Sequence, residues 1–426
     1  MKKYAEMSRE ELAQEREALK VKYDEYKAMG LALDMTRGKP APEQLDLTNG
    51  IYDSLKERGY KTPGGVDTRN YSAPAGIEEM RATFGEILGT DKDNIFLGNS
   101  SSLNMMFDSL MRAMVFGETD SDCPWYEIKN RKWICPAPGY DRHFRVTETL
   151  GFELITVPMT DNGPDVDAIE ELVKDPTVLG MWCVPVYSNP DGIVCSEETC
   201  RRLANMKTAA PDFRIYWDNA YVVHHLYRGQ IGKIPDMLSL CEEAGNPNRV
   251  YEFASTSKIT FAGAGISCLA CNKDNMAQVR KISGVQTICS NKVNQLAHAY
   301  MLPDIKAVDE QMRKQAELIR PKFDAALTAL KEDLEDAGIA RWTNPLGGYF
   351  ISLYVMPGTA GATVKLCKEC GVALTGAGAT YPYGVDPQDS NIRLAPTFPS
   401  AEDIGKATRI LAICAKISAI DKLLEE

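Results

Sequence analysis

The stretch FASTSKITFAGAG, Phe253 to Gly265, sets one long cation, Lys258, among serines and small residues at the end of the apolar run RVYEF. Standing alone, such a lysine reads as a solvated surface charge. At the end of a buried strand, among hydroxyls and exposed backbone, an amine instead has the surroundings of a nucleophile for carbonyl groups. Other runs of the same kind also end in polar residues. GNSSSLNMMFDSLM brings a glycine with Ser100, Ser101 and Ser102 to the start of a helix. Hydroxyls, backbone N–H groups and the positive end of a helix dipole can seat a phosphate there, although the same serines would serve as ordinary helix caps. APGY places an aromatic face, Tyr140, after the next run, and VPVYSNPDG ends in Asn189, whose amide can donate. IYWDNAY closes on Asp218 and Tyr221. A carboxylate beside a tryptophan at a buried strand end is costly unless it meets a cation, and that cation need not belong to the protein. Near the C-terminus SNIRLAPTFPS presents Arg393, suited to gripping a carboxylate by two parallel hydrogen bonds or to a surface salt bridge.

One ligand accounts for all of these positions: a phosphorylated, protonated aromatic aldehyde attached through lysine, pyridoxal 5'-phosphate. On this reading Lys258 forms the Schiff base, Asp218 keeps the pyridine nitrogen protonated and Tyr140 stacks on the ring. Asn189 and Tyr221 bond the ring oxygen. Ser100, Ser101, Ser102, Ser255 and Ser257 hold the phosphate.

These residues need a scaffold that brings strand ends together. Seven short apolar runs recur between Asn94 and Asn272: IFLGN, KWICPAP, FELITVPM, VLGMWCVPVY, FRIYWDNAY, VYEFAST and ISCLACN. Helical patterns such as DVDAIEELVKD separate them, so an α/β domain with a mostly parallel sheet is expected, and ligands gather at the carboxyl ends of such strands. Beyond residue 304 come a long helical pattern, the hairpin-like WTNPLGGYFISLYV and a terminal helix, which suggest a smaller α+β domain. The expected division is a large cofactor-binding domain over 49–303 and a small domain from 1–48 and 304–426.

Composition narrows the partners. With 48 Lys and Arg against 59 Asp and Glu the formal charge is -11, which disfavours nucleic acid and anionic membrane surfaces and leaves small molecules. The N-terminal residues alternate charge at helical spacing, have no apolar core of a signal peptide, and read as an exposed amphipathic helix. No apolar run reaches the length of a membrane span. A cytoplasmic location is expected, with the twelve cysteines reduced and buried. The pairs Cys268/Cys271 and Cys367/Cys370 fall in a strand-like and a helix-like run, a poor basis for a zinc site.

In order and spacing, Tyr71 with Gly76, then GNSSSL, PGYDRH, NPDG, DNAY, STSK and IRLAP resemble the fold-type I pyridoxal-phosphate aminotransferases, closest to a divergent bacterial aspartate aminotransferase subgroup. The resemblance runs from TRGKP near residue 37 to residue 393. It implies the family's seven-stranded, mostly parallel sheet between helices. It also implies that Gly38 brings its backbone to the substrate carboxylate, that His143 bonds Asp218, and that Arg393 holds the α-carboxylate. Tyr71 corresponds to a tyrosine reaching the neighbouring subunit's cofactor phosphate, which implies a homodimer. The implied reaction is transamination between an amino acid, L-aspartate or glutamate, and 2-oxoglutarate, with Lys258 carrying the proton. Arg37 is the candidate for an acidic side chain, or else a surface charge. One departure stands out: where the family has an arginine on the phosphate, eight residues after the lysine, this chain has Ile266. Lys292 is the candidate replacement, from the same chain or from the partner subunit. Another amino-acid donor or a lyase reaction on the same scaffold is the alternative, and a non-catalytic regulatory module is disfavoured by the intact lysine, aspartate and arginine.

Overall fold

The structure, a computed structural model, describes residues 3–227, 229 and 232–425. Its strands in chain order begin with β1 (Leu33–Asp34), β2 (Ile95–Leu97), β3 (Lys132–Ala137), β4 (Glu153–Thr160), β5 (Gly163–Pro164) and β6 (Val178–Cys183). They continue with β7 (Arg214–Asp218), β8 (Val250–Ser255), β9 (Ser267–Ala270), β10 (Ala340–Trp342), β11 (Ile351–Val355), β12 (Val372–Ala373) and β13 (Asn391–Leu394).

The main sheet runs β2-β9-β8-β7-β6-β3-β4-β5. Strands β4, β3, β6, β7 and β8 are parallel neighbours, while β9 pairs antiparallel with both β8 and β2. All seven apolar runs of the sequence lie in this sheet, and the eighth strand, β5, is a two-residue edge pairing with β4. Strands β6 and β7 are buried along their full length, as strands covered on both faces are, which is why these runs are continuously apolar instead of alternating. The parallel arrangement collects the ends of β7 and β8 at one edge of the sheet.

A second sheet, β10-β11-β13, is antiparallel, and β1 and β12 form a short parallel pair. The N-terminal helix Arg9–Ala28 starts in a capping box between Ser8 and Glu11. Most of it is exposed, as its charge pattern requires, but Leu12, Leu19 and Tyr23 are buried in the core that includes the C-terminal helix Ala401–Glu425. Two apolar cores result. The long helix Ile305–Leu334 serves both, with Val308 and Met312 in the core of the main sheet and Ile319, Phe323 and Leu330 in the core of β11, β13 and the terminal helices. Tyr187 and Tyr221, from the middle of the chain, also pack in the second core. Asp218 and Ser255 therefore come from one core's strands and Arg393, on β13, from the other's. None of the helices among the described residues is long and apolar enough to cross a membrane.

One buried carboxyl lies beside this arrangement. Glu252, on β8, accepts a hydrogen bond from Asn219 Nδ2 at 2.8 Å, and burial pushes its pKa up to about 8. Because the folded state then holds the proton more tightly than the unfolded chain, this contribution to stability is complete below about pH 4.5 and is lost as pH rises through about 8. Glu252→Gln keeps the shape and removes the ionisation. Urea unfolding should find the variant more stable than the parent at pH 8, by up to about 4 kcal/mol, and little changed at pH 5. Equal losses at both pH values would show that the carboxyl is not held neutral.

Candidate active site

Past the carboxyl ends of β7 and β8, against the start of the helix Ser102–Phe116, lies a cavity of about 360 Å³. Lys258 enters it from the loop after β8, its Nζ lying 4.7 Å from the centre of the Tyr221 ring. Asp218 ends β7 inside the cavity and is only 4% exposed. One of its oxygens, Oδ2, is 2.9 Å from His143 Nε2, and that histidine is itself fixed by stacking on Trp182 at 4.4 Å. The other oxygen, Oδ1, is buried without a partner. A carboxylate left half satisfied in this way is stabilised by a ligand that brings a cationic N–H donor.

The serine run is open in the same sense. Ser101 is the N-cap of a fifteen-residue helix but makes no side-chain cap hydrogen bond. The first-turn N–H groups and the hydroxyls of Ser100, Ser101, Ser102 and Ser255 thus face the cavity wall together, a set of donors suited to an anion. Ser257 differs: its Oγ donates to Ser100 O at 2.7 Å, tying the loop of Lys258 to the serine run. Tyr140 and Asn189 complete this part of the lining. Burial, with Asp218 close by, pushes the Tyr221 hydroxyl above the ordinary tyrosine range and keeps it a donor.

Arg393 closes the opposite side and is 6% exposed. Its Nη1 donates to Asp141 Oδ1 at 2.9 Å and Asn189 Oδ1 at 3.3 Å, and its Nη2 to Thr375 Oγ1 at 3.3 Å. Its Nε is buried without a partner. Nε is therefore the unpartnered donor of the fork, and together with the second N–H of Nη2 it could hold a carboxylate by two parallel hydrogen bonds. Gly38 has a reason the sequence did not give: a Cβ there would stand 2.6 Å from Phe350 Cζ, and the Phe350 ring also lies 5.1 Å from the Arg393 guanidinium. Arg37, Lys39 and Arg142 add cations to the lining.

Two residues named from the sequence are not brought into this cavity. Tyr71 is 74% exposed and is not among the residues lining it. Lys292 is buried with its Nζ 2.9 Å from Cys289 Sγ, so within one chain it does not replace the missing arginine. Ile266 is packed in the apolar core, with its backbone N–H on Thr256 Oγ1 at 2.9 Å. Around the serine run the cavity lining therefore offers hydroxyls and a helix start, with no arginine from position 266.

Sequence reasoning missed Asp141, Phe350, Thr375 and Arg142. Asp141 stands in PGYDRH beside Tyr140, but an acidic residue in a helix's first turn looks ordinary, and its partner is 252 positions away. His224 was also unread. Burial, helped by the nearby Lys258 and His225 charges, holds its pKa down at about 3, so it is a neutral ring edge-on to Tyr221 at 5.6 Å.

An unpartnered carboxylate oxygen, an uncapped helix start rich in hydroxyls and a lysine between them fit the ring nitrogen, phosphate and aldehyde of pyridoxal phosphate. Comparison with known proteins bears on the same point. Residues 7–426 match the family described as aspartate amino-transferase. A Mycolicibacterium smegmatis chain with an aminotransferase description is 49% identical over 99% of both chains. The aspartate aminotransferase of Corynebacterium glutamicum is 47% identical, covering 95% of this chain and 94% of its own. The crystal structure of an aspartate transaminase from that organism superposes with a TM-score of 0.95 over 97% of each chain, at 47% identity.

Proposed function

The chain belongs to the aspartate aminotransferase family, and from that premise we propose that it moves the amino group of L-aspartate or L-glutamate to a 2-oxo acid, 2-oxoglutarate, using pyridoxal phosphate attached through Lys258. The observation that carries this reading is that Lys258, Asp218 with its unpartnered Oδ1 and Arg393 with its unpartnered Nε line one cavity. When bound, the cofactor supplies an aldehyde that links to amines and a protonated ring that takes up the electron pair released at the substrate Cα.

The chain's own residues do the rest. Asp218, oriented by His143, holds the ring N–H. The hydroxyls of Ser100, Ser101, Ser102 and Ser255, with the helix start, take the phosphate, while Ser257 braces the loop. Asn189 uses its Oδ1 on Arg393, which leaves its Nδ2 to donate, with Tyr221, to the ring oxygen. Tyr140 lies against the ring face. Arg393 binds the α-carboxylate through Nε and Nη2, with the Gly38 backbone opposite, and so presents the Cα–H bond to Lys258. Lys258 Nζ, freed once the substrate amine takes its place on the cofactor's aldehyde carbon, would take the Cα proton and deliver it to that carbon, two bonds from Cα across the nitrogen. Arg37, at the cavity wall, meets the second carboxylate of an acidic substrate.

The reading also includes a homodimer in which the partner subunit's Tyr71 reaches the phosphate. Tyr71 is exposed, and so are Val285 and Ile288, in a segment that shares a cleft with Pro74 and Asn99, an apolar surface suited to cover. A fully active monomer in sedimentation velocity would remove this part.

The test is an absorption spectrum of the holoenzyme titrated with L-aspartate and then with 2-oxoglutarate. A visible band should fall with the first and return with the second. Arg37→Ala should raise KM for aspartate by about tenfold to a hundredfold and leave that for alanine nearly unchanged. A cofactor band indifferent to aspartate and glutamate would overturn the substrate assignment.

A further inference from the structure

Arg393 is neutralised before any substrate arrives. A guanidinium this deeply buried needs a counter-charge, and among the described residues Asp141 is the carboxylate that forms an ion pair with it, at 2.9 Å. Its other contacts, Asn189, Thr375 and the Phe350 ring, carry no charge. The Asp141 carboxylate also has its own anchor, because it opens the helix Asp141–Thr149, where the helix dipole favours an anion. It lies in the cavity wall with its side chain 31% exposed, so it faces the space the substrate enters.

We propose that Asp141 is a resident counter-ion of Arg393 that positions the guanidinium and limits its affinity for substrate carboxylates. This rests on the reading of Arg393 as the carboxylate clamp. Asp141 holds one N–H of Nη1 and leaves Nε without a partner, so a carboxylate would bind along the Nε–Nη2 edge and not the Nη1 side. A substrate that binds there places a second carboxylate on a guanidinium whose charge is already shared. The two anions repel across a few ångströms of poorly hydrated space. Weaker binding and faster release follow, while the proton transfer at Lys258 is untouched. Asp141 therefore acts on KM and not on kcat.

Asp141→Asn tests this, because the amide oxygen can still accept from Nη1 while the charge is gone. KM for aspartate should fall by about tenfold with kcat within about twofold, and maleate, an unreactive dicarboxylate titrated by its effect on the cofactor absorbance, should bind more tightly by a similar factor. Asp141→Ala, which loses the acceptor as well, should lose part of that gain. A residue that merely supports the fold would give an unchanged or higher KM in Asp141→Asn, and that result overturns the proposal. If Arg393→Gln leaves maleate affinity unchanged, the clamp fails and the proposal with it. If maleate binds tighter to Asp141→Asn in an enzyme whose cofactor ignores aspartate, the counter-ion stands and the assigned substrate falls.

Discussion

Lys258→Ala should lower kcat for amino-group transfer by about 10⁴-fold or more, since the variant loses both the amine that binds the aldehyde and the base that moves the Cα proton. The fold should survive. Lys258 sits half-buried in the cavity wall, with its Nζ 4.7 Å from the Tyr221 ring, so little packing is removed. Two measurements separate the roles. Borohydride treatment of the parent should leave the pyridoxyl mass on the peptide carrying Lys258, and the variant should show none. Single-turnover rates with aspartate should fall by the same factor as kcat. A variant that keeps more than about a tenth of the parent rate would exclude Lys258 from the proton transfer, because a positioned base contributes at least about a hundredfold.

Asp218→Asn should be the next most damaging change. The carboxylate is buried, oriented by His143 through Oδ2, and left with Oδ1 bare, so it is built to meet a cation and is otherwise a cost to the fold. Removing one partner of such a buried pair costs about 3–5 kcal/mol, which corresponds to roughly 10²- to 10⁴-fold in rate or affinity. The asparagine keeps the volume but neither the charge nor the demand for a protonated ring nitrogen. Both kcat and cofactor retention on dialysis should fall, while the apo-protein should be no less stable than the parent. A kcat within tenfold of the parent would mean that Asp218 is a structural carboxylate.

Much of this site could be read along the chain because each residue follows an apolar run that forms a strand. Asp218 ends β7, the serines precede the helix after β2, and Lys258 comes three residues after β8 ends. A parallel sheet sends all such ends to one edge, so their order in sequence already implied their meeting. Arg393 could be read either as a carboxylate clamp or as a surface salt bridge, since a lone arginine on a short strand has both uses; its burial to 6% exposure comes from the tertiary structure. Lys292 was not legible in the same way: within its own chain its Nζ meets Cys289 Sγ and it does not line the cavity, contacts that its place in the sequence does not encode.

The sequence by itself determined the apolar periodicity that builds the sheet, the residue types at the strand ends, and therefore the class of ligand they can hold. These are local properties, set by side-chain chemistry within a few residues of each site. The tertiary structure decided which charges meet. It paired Asp141 with Arg393, filled the Cβ position of Gly38 with the Phe350 ring, packed Ile266 into the apolar core, and left Asp218 Oδ1 bare. Contacts of this kind join side chains from different strands and both cores, and their energies depend on distance and burial that no local stretch encodes.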